Sequence, residues 1–205
     1  MEIEGCIASQ HALVDHLTSI DDLDPSRASA LPGWSVGHVL THLARNADSH
    51  LEMLAGRKQY AEVGIRESEI EAGSGRSAMR LIEDLRETSA ALEFAWLEAL
   101  GRDDANEFWS GSAVAASGPK PVSLLPLLRW REVEIHWVDL GTGRGALDLD
   151  RHYLRSDLRV SEMLWRARKP IGLTPLPAAV LAAPPHDRLM WFLGRAEIEG
   201  IGPAA

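Results

Sequence analysis

Glu132 and His136 stand four residues apart in the run Arg131-Glu132-Val133-Glu134-Ile135-His136. On an α-helix, residues i and i+4 project from one face a turn apart, so this carboxylate and this imidazole can grip one ion together while Glu134 points elsewhere. Leu127, Leu128, Trp130, Val133, Ile135, Trp137 and Val138 surround the pair and leave no clean polar face, which reads as an interior helix. A buried carboxylate is costly unless it is paired or coordinates a metal, and a divalent cation meets both needs. The spacing alone is weak evidence, because hydrogen-bonded pairs of this kind are common on helix surfaces. A second segment strengthens it: His38 and His42 repeat the interval, and Asn46 and His50 follow on adjacent turns. Two histidine-bearing helices suggest a His/Glu/His set with an open coordination position, the arrangement of catalytic rather than structural zinc.

Rotation at about 100° per residue ranks the histidines of the earlier helix, taking Val36, Leu40, Leu43, Ala47 and Leu54 as the buried stripe. His38 falls nearly opposite the stripe, His50 falls close to it as a core histidine, and His42 lies on its flank beside Asn46. His42 therefore ranks first as the third ligand, with His38 and His50 in reserve. Asn46 and Asp139 adjoin the proposed ligands and are candidates to orient a ligand imidazole, as metal-bound histidine usually requires. His11, His16, His152 and His186 show no partner pattern.

The elements that must position these groups are mostly helical. Ile3, Ile7, Val14, Leu17 and Ile20 recur at helical spacing until Asp24-Pro25 opposes continuation. Ser35 is placed to cap a second helix that runs from Val36 to Leu54 and stops at Gly56. Residues Arg57 to Gly75 read as a polar, glycine-bearing connection, followed by a third helix through Met79, Leu85, Leu92, Trp96 and Leu100. Residues 101 to 122 read as loop, and a Ser123 cap opens the fourth helix, Leu124 to Leu140. Four helices with one central member predict an antiparallel bundle, in which metal sites are built from facing helices. After Gly141-Thr142-Gly143 the texture changes: a helix over Arg151 to Trp165, a Pro- and Ala-rich stretch from Ile171 to Pro185, a short helix over Asp187 to Leu193 and a final strand at Ile198. The division expected is a bundle over residues 1–143 and a small region over 144–205.

At 205 residues the chain can bury one sizeable core, or one core with a small appendage. A formal charge of −9 disfavours nucleic acid, whose binding rests on clustered Lys and Arg. No apolar run approaches the ~20 residues of a membrane span, and the start Met-Glu-Ile-Glu-Gly-Cys has neither the basic nor the apolar region of an export signal, so a cytoplasmic protein is expected. The single cysteine, Cys6, excludes an internal disulfide and fits a reducing compartment, and its setting between acidic and apolar residues suits an inert packed thiol.

The run Leu31-Pro32-Gly33-Trp34-Ser35-Val36-Gly37-His38-Val39-Leu40-Thr41-His42-Leu43-Ala44-Arg45-Asn46-Ala47-Asp48 resembles the signature of mycothiol-dependent maleylpyruvate isomerases, within the DinB-like superfamily. Arg129-Trp130-Arg131-Glu132-Val133-Glu134-Ile135-His136-Trp137-Val138-Asp139-Leu140 resembles their second signature, and Leu193-Gly194-Arg195 their closing segment. The resemblance implies a mainly α fold, a DinB-like four-helix bundle with a small C-terminal α/β region. It implies a divalent metal, usually zinc, on the residues matching His42, Glu132 and His136, and a low-molecular-weight thiol cofactor, typically mycothiol. The stretch after Leu140 has few strand-like runs, which suggests a reduced second domain.

The activity so implied is that of a metal- and thiol-dependent isomerase or S-transferase acting on a small electrophilic, anionic substrate, as monomer or homodimer. Arginine is the natural bidentate partner of a carboxylate, and Arg76 and Arg195 are the candidates for it. Two rivals use the same bundle: a hydrolase working through metal-bound water, and a sensor or binding protein without turnover.

Overall fold

The computed structural model describes residues 2–168 and 175–204. The part of the Pro- and Ala-rich stretch that precedes Pro175 lies outside them. The contacts divide the chain into two compact units, Met1–Thr142 and Gly143–Ala205.

In the first unit, α1 (Ile3–Thr18), α2 (Val36–Leu54), α4 (Ala78–Leu100) and α6 (Leu125–Asp139) form a four-helix bundle. Helix α1 packs on α4 and α6, and α2 packs on the same two helices from the other side. Leu13, Leu17, Val36, Leu40, Leu43, Leu81, Leu85, Val133 and Leu140 meet in the shared core. Helices α1, α2 and α4 each turn an apolar stripe inward and α6 is apolar almost all round, so the bundle follows from burying three stripes against that helix and one another. Helices α1 and α6 approach closely at Gly5, where an added Cβ would lie 2.1 Å from the Trp130 ring.

The caps show how local chemistry sets the boundaries. The Ser35 hydroxyl accepts from the His38 backbone amide, and His38 Nδ1 accepts from the Ser35 amide at 3.2 Å, a reciprocal capping box. The fourth helix begins otherwise than its sequence suggests. Ser123 provides no cap; a 3-10 turn over Val122–Leu124 leads into α6, whose first turn carries Pro126, a residue that has no amide needing a partner there.

Two connections contain more structure than expected. The stretch before Gly75 holds α3 (Ile65–Ser74), which packs against α2. It buries only Ile70, so its sequence carries no apolar stripe. Close approach holds it instead: a Cβ on Gly37 would sit 2.0 Å from the Ser74 carbonyl oxygen, and one on Gly73 2.5 Å from Thr41 Cγ2. The stretch from 101 to 122 holds α5 (Ala105–Ser110) and an antiparallel hairpin, β1 (Ser112–Ala115) with β2 (Gly118–Pro121), in the register Ser112 opposite Pro121. Four-residue strands of small residues show too little alternation to be recognised.

In the second unit, α7 (Arg151–Ala167) packs on α9 (Pro185–Phe192), with α8 (Ala178–Ala182) between them in sequence. Trp165, Leu176, Val180, Trp191 and Ile198 form its core. The strand expected at Ile198 amounts to one bridge with Ile201, so the described residues of this unit are helical with no extended sheet. Among the described residues, no helix is long and apolar enough to cross a membrane.

Candidate metal centre

His42 is on the second turn of α2, and Glu132 and His136 lie one turn apart on α6, which packs against it. Each offers one ligand atom, and these atoms all fall within 4.8 Å of one another, a group that could hold a metal ion. His42 Nε2 is 2.8 Å from Glu132 Oε2, and His136 Nε2 is 3.2 Å from the same oxygen. The two imidazoles meet edge to face with centroids 4.8 Å apart. His42 is 3% exposed and the Glu132 side chain 30%, so the carboxylate marks the side open to solvent.

The ring nitrogens behind the cluster have different partners. His136 Nδ1 donates to Asp139 Oδ2 at 2.8 Å, one turn along α6. On His42, Nδ1 faces the Arg66 guanidinium at 3.3 Å. A guanidinium can only donate, so His42 Nδ1 accepts and its Nε2–H donates to Glu132. Trp34 packs its ring edgewise on His42, with centroids 5.6 Å apart, and Arg66 lies over that indole at 5.7 Å.

These contacts pull the ionisations apart. Burial alone would raise the Glu132 carboxyl, but hydrogen bonds from His136 and His42 hold it well below the usual carboxylate range. Burial opposes charge on His136, yet the hydrogen bonds to Asp139 and Glu132 raise it overall. On His42 burial prevails over the bond to Glu132 and lowers it. The two imidazoles are therefore biased in opposite directions around one carboxylate, in a set of three donors already converged on a small volume.

A model of the family described as the mycothiol maleylpyruvate isomerase N-terminal domain matches residues 7–141, which span the bundle and all three of these side chains. The chain belongs to that family. No curated protein sequence matches it. Among solved structures, a crystal structure of the mycothiol-dependent maleylpyruvate isomerase superposes with a TM-score of 0.75 at 24% identity, covering 96% of this chain and 90% of that one. A crystal structure of a histidine-to-alanine mutant of that isomerase gives the same TM-score and coverage at 23% identity. At such identity the likeness shows a shared fold.

The other candidate residues are placed as follows. Asp139 accepts a hydrogen bond from the His136 ring. Asn46 has a different partner from the one expected: its Oδ1 accepts from Arg129 at 2.9 Å and not from a ligand ring. His38 is used as the α2 cap, with its Nε2 3.2 Å from Glu71. His50 is buried, as a core histidine should be, but its Nδ1 has no hydrogen-bond partner. Arg76 bonds Asp84 at 2.7 Å and the Gly73 carbonyl at 3.0 Å, tying the end of α3 to α4. Arg195 is exposed in the second unit and donates to the Leu193 carbonyl.

Sequence reasoning missed two arginines. Arg129 is fully buried on α6 and donates to Gln10 on α1, to the Leu43 carbonyl and Asn46 on α2, and to Ser89 on α4. The signal was available: an arginine on a helix apolar all round must point inward somewhere. Arg66 lies in α3, where no periodicity singles it out. It lines a cavity of about 420 Å³ with Lys58, Tyr60, Gly64 and Val114, and it links that space to His42. Neither this cavity nor its neighbour of about 430 Å³ beside Arg45 and Asp48 is lined by the three ligands themselves.

Proposed function

We propose that this chain is a metal-dependent enzyme that uses a low-molecular-weight thiol, mycothiol or a close equivalent, either to isomerise a small electrophilic substrate with a cis-enedioate-like double bond or to transfer the thiol's sulfur onto it. The observation that carries the reading is the convergence of His42 Nε2, Glu132 Oε2 and His136 Nε2 inside the segment that matches the family.

The donor set suits a divalent cation, zinc above all. Two imidazoles and one carboxylate are the ligands of many catalytic zinc sites, and three protein ligands leave a coordination position free. Asp139 supports the fit, because an acceptor on Nδ1 keeps the proton there and leaves the His136 Nε2 lone pair for an ion. When bound, the cation would supply the Lewis acidity that keeps a thiol ionised near neutral pH, and addition of that thiolate to an activated double bond followed by elimination is isomerase chemistry. If the adduct is kept, the same site performs a transfer.

The chain's own groups do the rest. Glu132 would balance part of the charge of a bound cation, and its partly exposed position leaves access from solvent. Trp34 covers His42 on one side, limiting water at the imidazole. Val36, Leu40, Leu43 and Val133 fix the distance between α2 and α6 and so the spacing of the ligands.

The test is metal content and thiol dependence in the purified protein. About one zinc per chain is expected, with loss in His42→Ala and His136→Ala and turnover of a cis-enedioate only when thiol is present. Full metal occupancy in both variants would sink the site. Turnover without thiol would favour hydrolysis by the same three ligands.

A further inference from the structure

We infer that the outer face of α7 is a docking surface for a second copy of this chain, and that it receives the face of α4 that carries Phe94. Helix α7 turns Tyr153, Asp157, Ser161 and Trp165 inward and packs on α9. Its outer face carries Arg151, Arg155 and Arg159, exposed and one turn apart. Among the described residues, none of the three has a hydrogen-bond or ion-pair partner. The nearest acid on the helix, Glu162, is held by Arg166 at 2.7 Å. Like charges four residues apart on a helix repel one another. The chain has acids to spare, 30 Asp and Glu against 21 Lys and Arg, yet it leaves this row uncompensated, so the charge is met only from outside.

The row borders a cavity of about 390 Å³ that it shares with Leu154, Leu158 and Pro185. Both leucines are half-buried, so an apolar floor lies between guanidinium groups. The complementary surface is an apolar side chain flanked by carboxylates. Helix α4 presents that combination. Its inner face buries Leu81, Leu85, Leu92 and Trp96. Outside, Glu87, Phe94 and Glu98 stand at i, i+7 and i+11, which places them along one side of the helix. Phe94 is 63% exposed and Leu97, beside it, 53%. Glu87 and Glu98 are exposed and have no ion-pair partner among the described residues.

The spacings agree. At ~1.5 Å per residue, Glu87 and Glu98 lie about 16 Å apart along α4, and Arg151 and Arg159 about 12 Å apart along α7. Arginine side chains span that difference, so both carboxylates reach a guanidinium while Phe94 enters the cavity beside Leu154 and Leu158. The aromatic anchor supplies the affinity and the flanking charges set the orientation. The two faces differ and each copy carries both, so the contact is heterologous. One helix laid on another is a small interface of the transient class, with a dissociation constant on the order of 10 μM.

The experiment follows self-association of the full chain by sedimentation velocity, with helicity and Tm as controls for folding. The wild type should associate as its concentration rises. Two charge-reversed proteins, one with Glu87→Lys and Glu98→Lys and the other with Arg151→Glu and Arg155→Glu, should each be monomeric alone, because each sets like charges against one another. Mixed in equal amounts they should associate again, since the basic face of one then meets the acidic face of the other. Phe94→Ser should weaken association by about tenfold or more with Tm unchanged. Association that survives either reversal overturns the inference, and so does a mixture that stays monomeric. A wild type still monomeric at about 1 mM overturns it too, and binding of that monomer to anionic lipid vesicles through Arg155 would make the row a membrane contact instead.

Discussion

His136 holds Asp139 through one ring nitrogen at 2.8 Å and faces Glu132 through the other at 3.2 Å, so a single imidazole spans two carboxylates that lie one turn before it and one turn after it on the same helix. The Asp139 side chain is 3% exposed, and the Glu132 side chain is 30% exposed. The inner carboxylate fixes the ring and its proton, and the outer one is left to share a ligand with His42. Both nitrogens of the His136 ring thus have carboxylate partners, which raises its affinity for a proton despite its burial.

The Asp139 contact can be tested directly. Asp139→Asn keeps the shape of the side chain but removes the charge that anchors the Nδ1 proton, and loss of such a support typically costs about 10–100-fold in metal affinity. Zinc affinity measured by chelator competition should fall by that factor with little change in helicity. Unaltered affinity would show that Asp139 serves only the helix end.

The bundle helices were legible because α1, α2 and α4 bury regular apolar stripes and α6 is apolar almost all round; of the α2 histidines, the one beside Glu132 and His136 is His42, which helix rotation puts on the flank of the stripe. Asn46 shows the limit of that method. It lies on the correct face and is buried, but its partner is an arginine from α6, and rotation about one helix cannot say which side chain of another will claim a carbonyl. Helix α3 was illegible for a different reason. It is held by backbone approach at Gly37 and Gly73, where a missing side chain is the signal, and hydrophobic periodicity cannot register that. The arginine nearest the ligands was hidden with it.

That glycine contact makes Gly37→Ala informative. Its new methyl would meet the Ser74 carbonyl, which belongs to backbone and cannot turn aside, so α3 must move or the helices must separate. Overpacking of this kind costs about 1–3 kcal/mol. Denaturant unfolding should show that loss, and amide exchange should quicken across Ile65–Ser74 more than across α1. Equal protection of α3 in both proteins would mean that the contact is not what holds it.

His50 gives a pH prediction. Burial, with the nearby Arg129 charge adding to it, pushes its imidazole down to about 3, so it stays neutral in the folded chain. The unfolded chain takes up a proton near the ordinary value of about 6.5, so the stabilisation is fully present above that pH and declines as pH falls toward 3. The slope approaches ~1.4 kcal/mol per pH unit, or about 2 kcal/mol lost by pH 5 from this one group. His50→Phe cannot titrate, and its stability should fall less between pH 7 and pH 5 than that of the wild type by about that amount. Parallel pH profiles would show that His50 takes up its proton without unfolding.

Arg129 is the test of how the four helices are tied together. Its guanidinium reaches Gln10 at 2.8 Å, the Leu43 carbonyl at 2.7 Å, Asn46 at 2.9 Å and Ser89 at 3.4 Å, all buried. Burial lowers its basicity, but the partners are neutral acceptors, so the charge is solvated by oriented dipoles instead of a carboxylate. Arg129→Met nearly conserves the chain's bulk and removes every donor, leaving several acceptors buried without partners at about 1–3 kcal/mol each. A loss above ~3 kcal/mol is expected in denaturant unfolding. Asn46→Leu removes one of those acceptors along with its partner's bond, so combining it with Arg129→Met should cost less than the sum of the two single changes. Strict additivity would mean that the guanidinium and Asn46 act independently, and that the link between α6 and the α2 turn following His42 is made elsewhere.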